Sequence, residues 1–275
     1  MIYKIKKLLI KFYRFLNNEY ILIDENSIKK PLASKSKYLE IFHEAIQNKH
    51  TIIDKIQKEA GFDLEKNWLN DLALHTQIII KKSKINFQHG RLLYSYLRNY
   101  MKTCNKNDVI KILETGTAKG FSSICMSKAL NDSNMKGEIY TIDQLPHDRE
   151  MFWNLIDDHE KKKTRNELLS KWPRELKNIK FLKGETQKIL SNLNLGRINF
   201  AFLDAEHTFE AVISEYRYVE KNQKKGDIIF FDDVTPTLFP NLCLALKKIE
   251  NEKKYTIKYL NISDQRGYAI AKKEQ

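Results

Sequence analysis

One stretch of the chain, residues 109–123, constrains the fold more than any other. It starts with an apolar run rich in β-branched residues, which is typical of a buried parallel strand. Glu114 follows the run, Gly116 and Gly120 bracket a turn, and a helical apolar pattern begins at Phe121. This order predicts an α/β fold with a ligand site, because a helix N-terminus offers free N–H groups and a positive dipole.

The glycine turn differs from two well-known phosphate-binding turns. The spacing of Gly116 and Gly120 is not the G-x-G-x-x-G pattern of dinucleotide sites. No Gly-Lys-Ser/Thr follows, which excludes a P-loop. A carboxylate at Glu114 would repel a pyrophosphate, but it suits a ligand that carries an ammonium group. An ordinary strand-to-helix turn without a ligand is the alternative at this point.

A second strand, Gly137 to Asp143, also ends in a carboxylate. A carboxylate in this position can accept hydrogen bonds from both hydroxyls of a ribose. Many strands end in Asp, so the observation is weak on its own. Combined with Glu114 and the two glycines, it becomes a more specific indication of a ribose-containing ligand.

These residues resemble the class I S-adenosylmethionine-dependent methyltransferases. The resemblance rests on Glu114-Thr-Gly116-Thr117-Ala-Lys-Gly120 and on Asp143. It implies that Gly116 and Gly120 border the methionine moiety of the cofactor. It also implies that Ser122 reaches the carboxylate of that moiety and that Asp143 holds the ribose. The implied fold is a doubly wound, seven-stranded, mostly parallel sheet of the Rossmann-like kind, preceded by a helical N-terminal segment.

A third strand, Ile179 to Gly184, is followed by Glu185 and the start of a helix. In the resembled class this turn borders the adenine ring. Gly184 and Glu185 are therefore predicted contacts of the cofactor.

Two further apolar strands end in acidic residues. Asp204 ends the first strand, and Asp232 and Asp233 end the next one. The carboxyl ends of neighbouring strands line the ligand crevice in open α/β sheets. Carboxylate oxygens suit Mg²⁺ or a similar cation. The alternative is that these carboxylates only cap helices or lie in loops.

This acidic pattern narrows the resemblance to the metal-dependent O-methyltransferases, especially the branch that acts on sugars and natural products. The resembling segments are Leu203-Asp204-Ala-Glu-His207 and Phe231-Asp232-Asp233. The resemblance implies methyl transfer to a hydroxyl of a small molecule or glycan, with a divalent cation held by the three aspartates. Asp204 or His207 would accept the proton of that hydroxyl. The resemblance covers about residues 86–272.

Composition and charge limit the other classes of protein. The chain has 275 residues, of which 42% are hydrophobic, so a sizeable core is expected. Its three cysteines show no metal-binding spacing, which predicts a reducing, cytoplasmic location. The net charge is +13, but residues 108–275 hold 28 basic and 25 acidic residues. A nearly balanced domain argues against a nucleic-acid partner.

The basic excess lies near the start of the chain. Residues 1–37 hold nine Lys and Arg against three Asp and Glu. Residues 1–16 form an amphipathic helical pattern with lysines on the polar face, and residues 17–34 have a linker-like composition. Contact with an anionic membrane surface is one interpretation of this helix. Packing on the domain, or on a second subunit of a homo-oligomer, is the other.

The predicted domains are a helical segment with a linker, 1–85, and a methyltransferase domain, 86–275. The predicted helices outside the motifs are Ser36–Ala60, Trp68–Ile80, Gly90–Met101, Arg149–Ser170 and Pro236–Asn251. Two β segments, Tyr255–Asn261 and Gly267–Lys272, predict a closing antiparallel hairpin. We expect residues 144–177 to help shape the acceptor site, since insertions near strand ends often do so.

Two rival functions stay open from the sequence. The first is a methyltransferase without a metal that acts on nitrogen or on protein, whose activity would survive chelation. The second is a non-catalytic membrane-associated protein that keeps the fold, which would bind lipid but no cofactor.

Overall fold

The computed structural model of this protein describes residues 28–263 and 266–275, which form two compact units. The helical unit comprises the described residues 28–49, 65–87 and 146–168. The sheet unit comprises 50–64, 88–145 and 169–275. The predicted amphipathic helix at 1–16 lies outside the described residues. The units interleave along the chain, and the predicted division into 1–85 and 86–275 stays a prediction.

The helices are α1 Lys35–Gln47, α2 Thr51–Ala60, α3 Lys66–Thr76, α4 His89–Met101, α5 Phe121–Asp132, α6 Arg165–Leu168, α7 Pro173–Leu176, α8 Thr186–Asn192, α9 Phe209–Lys221 and α10 Pro240–Asn251. The strands are β1 Val109–Thr115, β2 Lys136–Asp143, β3 Ile179–Lys183, β4 Phe200–Leu203, β5 Ile228–Phe231, β6 Tyr255–Ser263 and β7 Arg266–Lys273. No helix among the described residues is long and apolar enough to cross a membrane.

The predicted helix Ser36–Ala60 is interrupted. It forms α1 and α2, because Asn48 leaves the helical conformation at φ −65° and ψ 130°. Ser34 starts α1 as its N-cap, since its side chain accepts a hydrogen bond from the Lys37 N–H. Gly61 ends α2 in the left-handed conformation that glycine adopts without a Cβ penalty.

The predicted helix Arg149–Ser170 is wrong. The segment contains only a 3₁₀ turn, Ile156–His159, and the short α6. Asn154 has a φ of 57° and is buried. Its side chain accepts hydrogen bonds from the Tyr38 hydroxyl at 3.1 Å and from the Ile80 N–H at 3.0 Å. These long-range bonds within the helical unit outweigh the local helical pattern.

The seven strands form one sheet in the order β3-β2-β1-β4-β5-β7-β6. All neighbouring strands are parallel except at β7, which pairs antiparallel with β5 and with β6. This confirms the predicted Rossmann-like sheet and its closing hairpin. The strand order reverses direction between β1 and β4, which is where ligands bind in doubly wound sheets.

The core of the sheet unit explains why β4 and β5 are almost entirely apolar. Every residue of both strands is buried, as expected for central strands covered on both faces. Thr115 pairs with Leu203, and Leu203 pairs with Phe231. The carboxyl ends of β1, β4 and β5 are therefore level, and the residues that follow them meet at one edge of the sheet.

Candidate active site

The glycine turn lies directly against the end of β4. Gly116 has a φ of 89°, and its N–H donates to the Ile142 carbonyl at 2.9 Å. A Cβ at this position would lie 2.1 Å from the backbone oxygen of Asp204. Only glycine fits both the conformation and the space. Gly120, with a φ of 87°, is the N-cap of α5, so the turn feeds straight into a helix N-terminus.

Several polar side chains in and around the turn hydrogen-bond one another. Glu114 is fully buried, and the hydroxyls of Ser122 and Ser123 donate to its two oxygens. Burial raises the pKa of Glu114, and the serine hydrogen bonds act against that rise. The hydroxyls of Thr117 and Thr141 lie 2.5 Å apart. Glu114 therefore connects the end of β1 to the start of α5, and its carboxylate orients the Ser122 hydroxyl.

Asp143 connects the turn to the next two strand ends. One carboxylate oxygen accepts the Ala118 N–H at 2.6 Å, and the other accepts the Leu145 N–H at 2.7 Å. The Asp143 carbonyl accepts the Gly184 N–H at 2.8 Å. Glu185 follows as the N-cap of α8, with one oxygen 2.9 Å from the Lys188 ammonium.

The structure thus brings all the predicted cofactor residues to the carboxyl ends of β1, β2 and β3. We call this set the glycine-turn group: Glu114, Gly116, Thr117, Gly120, Ser122, Asp143, Gly184 and Glu185. Their contact with a cofactor stays a prediction. The hydrogen bonds among them show a turn whose shape is fixed by the protein itself.

A second set, the acid group, follows β4 and β5: Asp204, His207, Asp232 and Asp233. The His207 Nε2 lies 3.6 Å from Asp204 Oδ1 and 3.8 Å from Asp233 Oδ2. One potential ligand atom from each of these three residues lies within 4.8 Å of the other two. The imidazole packs on the Phe239 ring, with centroids 4.4 Å apart, just before the Thr208 N-cap of α9.

Asp232 stands outside this close set of three, although the sequence predicted it as a metal ligand. One of its carboxylate oxygens accepts the N–H of Asp233 at 2.7 Å. The other lies 3.4 Å from the guanidinium of Arg266. The same guanidinium donates to Asp233 Oδ1 at 2.5 Å. Asp232 and Arg266 therefore fix the position of Asp233, whose φ is 57°.

The electrostatics of the acid group are those of a site with surplus negative charge. Loss of hydration and the charge of Asp232 raise the pKa of Asp204 to about 7. Burial and the charge of Asp232 also raise the pKa of Asp233, against the opposing effect of Arg266. Burial lowers the pKa of His207, but Asp204 and the other carboxylates outweigh it and raise the pKa overall.

Two polar residues near the site were not found from the sequence. Arg266 was assigned to a loop, and no local pattern links it to residues more than thirty positions earlier in the chain. Glu215 is buried in α9, where the Thr115 hydroxyl donates to it at 2.9 Å, and burial raises its pKa to about 8. The sequence did contain an indication of Glu215, because a glutamate lies between Val212 and Tyr216 on the apolar face of the helix.

Comparisons with known proteins give a family-model match to part of the chain. Residues 113–234 match the family model of a methyltransferase domain. This segment contains both the glycine turn and the acid group. No curated protein sequence gives a significant match to the chain.

Solved structures share the fold at low sequence identity. The O-methyltransferase TomG from Streptomyces achromogenes, solved with S-adenosylmethionine, is 16% identical with a TM-score of 0.54, and the match covers 78% of this chain and 92% of TomG. The methyltransferase PaMTH1 from Podospora anserina, bound to S-adenosylhomocysteine, is 14% identical with a TM-score of 0.52, covering 93% and 99%. Cofactor-bound Rv0187 from MTB is 16% identical with a TM-score of 0.53, covering 69% and 82%.

The domain match and the fold confirm the class predicted from the glycine turn. Residues 113–234 match a methyltransferase-domain model, and the sheet unit has the fold of the class I S-adenosylmethionine-dependent methyltransferases. The methyl donor of this class is S-adenosylmethionine.

Proposed function

We propose that this protein transfers a methyl group from S-adenosylmethionine to a hydroxyl oxygen of a small molecule or glycan, with a divalent cation held by the acid group. One observation carries the proposal. The backbone of Gly116 abuts the backbone of Asp204, so closely that a single methyl group would not fit between them. A cofactor on the glycine turn and an acceptor at the acid group would therefore be neighbours.

The residues of the acid group fit a divalent cation. The acid group holds three carboxylates, and the Arg266 guanidinium contacts two of them, those of Asp232 and Asp233. Two negative charges remain uncompensated when His207 is neutral. Carboxylates that share a site without enough positive charge repel one another and tend to hold protons, which agrees with the raised pKa values of Asp204 and Asp233. A cation of charge two removes that conflict.

The glycine-turn group supplies binding and orientation. The N-terminus of α5 and the glycine backbone would hold the methionine moiety, and Asp143 would accept hydrogen bonds from the ribose hydroxyls. Methyl transfer from a sulfonium is a direct displacement, so fixing the acceptor oxygen in line supplies much of the acceleration. A bound cation lowers the pKa of an acceptor hydroxyl and orients it.

The acid group also offers two bases for the proton of the acceptor. Without a bound cation, the raised pKa of Asp204, about 7, is close to the ideal for a general base at neutral pH. The His207 imidazole is the other base, 3.6 Å from the Asp204 carboxylate. Whichever of the two has an atom that does not ligate the cation can take the proton as the oxygen attacks the methyl group.

Metal-independent methyl transfer is the competing function, and Arg266 favours it. Its guanidinium already neutralises part of the acid group through Asp233 at 2.5 Å. In that case Asp204 or His207 would act as the base without a cation, and nitrogen or protein acceptors would be compatible. Chelation separates the two functions, since only the metal-dependent one loses activity.

The test is a screen of sugars, phenols and other hydroxyl compounds with labelled S-adenosylmethionine. Asp204→Asn should abolish most of the turnover found with any acceptor. Glu206→Gln is the matched control, because Glu206 is an exposed neighbour in the same loop. Label transfer to oxygen that depends on Asp204 and not on Glu206 supports the proposal. Label found only on nitrogen or protein contradicts it.

A further inference from the structure

His207 has an unusual position for a buried imidazole. Its side chain is 13% exposed, and its Nε2 is buried without a hydrogen-bond partner among the residues that the structure describes. Burying a polar atom without a partner costs free energy. The atom nevertheless points at two carboxylate oxygens, those of Asp204 and Asp233, from beyond hydrogen-bond distance.

The separations are slightly longer than those of atoms that share one ion. Two ligand atoms at about 2.1 Å from a metal lie about 3.0 Å apart at a right angle and about 3.4 Å apart at a tetrahedral angle. The His207 Nε2 lies 3.6 Å and 3.8 Å from the two carboxylate oxygens. Small side-chain adjustments would bring all three atoms to ligand distance. A direct hydrogen bond to either carboxylate would pull the imidazole away from the other one.

Arg266 and Asp232 hold Asp233 in place without belonging to the set of three ligand residues. Arg266 binds Asp233 Oδ1 at 2.5 Å, whereas Asp233 Oδ2 faces His207. Asp232 accepts the Asp233 N–H at 2.7 Å. One carboxylate oxygen of Asp233 is therefore anchored and the other is presented to the site. Outer partners of this kind orient a metal ligand without touching the metal.

We propose that Asp204, His207 and Asp233 form a two-carboxylate, one-imidazole site that binds a first-row transition cation such as Mn²⁺ in preference to Mg²⁺, with Asp232 and Arg266 as positioning residues. The inference deepens the proposed function and rests on its divalent cation. It differs from the three-aspartate magnesium site predicted from the sequence. The preference follows from the nitrogen ligand, because imidazole suits transition metals whereas Mg²⁺ prefers oxygen ligands.

The direct test is pulsed EPR of Mn²⁺ bound to the full chain after exhaustive chelation. Coupling to the ¹⁴N of an imidazole should be present in the wild type and absent in His207→Gln. His43→Gln is the matched control, since His43 is exposed on α1 and far along the chain from the acid group. Absence of ¹⁴N coupling in the wild type would overturn the proposal, as would coupling that persists in His207→Gln.

Calorimetry with Mn²⁺ and Mg²⁺ separates the ligands from the positioning residues. The wild type should bind Mn²⁺ at least about tenfold more tightly than Mg²⁺, because the imidazole nitrogen is a poorer ligand for Mg²⁺ than for a transition cation. His207→Gln should remove most of that preference. Asp232→Asn should weaken both ions by about 10- to 100-fold and keep their ratio, as expected for an outer partner. Equal wild-type affinities for the two ions would contradict the inference.

The outcome is separable from that of the proposed function. Mn²⁺ bound without a nitrogen ligand leaves metal-dependent methyl transfer intact and removes His207 from the ligand set. A confirmed nitrogen ligand without methyl transfer to any hydroxyl removes the O-methyltransferase proposal and leaves the metal site.

Discussion

The glycine-turn group and the acid group share one edge of the sheet, but their polar atoms are used in opposite ways. In the glycine-turn group, the carboxylates of Glu114 and Asp143 are bound by the protein's own hydroxyl and N–H groups. In the acid group, His207 Nε2 has no hydrogen bond among the described residues, and the carboxylates outnumber the guanidinium. The first group is organised without a ligand, whereas the second is electrostatically incomplete without one.

This difference has a functional consequence. A preorganised turn binds a cofactor without rearranging. A set of carboxylates with surplus charge attracts a cation and is sensitive to its removal. A substitution should therefore change either cofactor affinity or metal affinity alone. The exception is the contact between Gly116 and Asp204, where the two groups touch.

The largest expected effect is at that point. Gly116→Ala places a Cβ 2.1 Å from the Asp204 backbone oxygen and forces a φ of 89° on alanine. We expect a loss of about 3 kcal/mol or more in unfolding free energy, measured by urea denaturation. Gly196→Ala is the control, because its φ is 66° but nothing lies within 4 Å of the added Cβ. It should cost only about 1 to 2 kcal/mol. Equal losses in the two variants would contradict the close contact between the groups.

The next effect concerns the glycine-turn group alone. Asp143→Ala should weaken S-adenosylmethionine binding by about 1 to 3 kcal/mol, because the ribose hydroxyls lose a charged acceptor. Asp143→Asn keeps an acceptor for the Ala118 N–H and separates loss of charge from loosening of the turn. Calorimetry measures both variants. Unchanged affinity in both would remove Asp143 from the cofactor site, and changed Mn²⁺ affinity would show that the two groups are not separable.

A smaller effect is the pH dependence of stability that Glu215 causes. Its folded-state pKa of about 8 lies above its ordinary value near 4.5 because of burial, so the folded state holds the proton more tightly than the unfolded state. The contribution of Glu215 to the free energy of unfolding is fully present below pH 4.5 and is lost as pH rises towards 8. Glu215→Gln, which stays neutral, should gain stability over the wild type by about 1.4 kcal/mol per pH unit between pH 5 and 7.

Denaturant unfolding at several pH values measures this difference. Glu210→Gln, at an exposed position in the first turn of α9, serves as the control and should lack this pH-dependent gain. A Glu215→Gln profile that also lacks the gain would show that Glu215 is charged in the folded protein.

The smallest expected effect is at the start of the chain. Deletion of residues 1–16 should leave turnover on a soluble acceptor within a few fold, since these residues precede both groups by a linker-like segment. If the amphipathic pattern is a membrane-binding helix, the deletion should abolish sedimentation with anionic vesicles. A folded deletion variant that has lost turnover would show instead that the segment contributes to the active site or to an obligate dimer.

The parts predicted correctly from the sequence depend on local patterns. The apolar strands, the glycine turn and the carboxylates at strand ends follow from a few consecutive residues each, and the parallel sheet aligns them automatically. Asp204 and Asp232 were expected to end neighbouring strands, and β4 and β5 are indeed paired.

The parts that were missed depend on distant residues. Asn154 is not helical, although the local pattern predicts a helix, because Tyr38 and Ile80 donate hydrogen bonds to its side chain. Arg266 reaches Asp232 and Asp233 only because β7 pairs with β5. The sequence therefore predicted three aspartates as equivalent ligands, and it could not indicate that Arg266 and the Asp233 N–H engage the carboxylate of Asp232.

The most direct test of the account is the initial rate of methyl transfer in exhaustively chelated enzyme, with cofactor affinity measured on the same sample. We expect the rate to fall by more than about tenfold, as for loss of a group that stabilises developing charge, and to recover when Mn²⁺ is added. The affinity for S-adenosylmethionine should stay unchanged, because the glycine-turn group is organised without the ion. Full activity in metal-free enzyme would contradict the role assigned to the acid group.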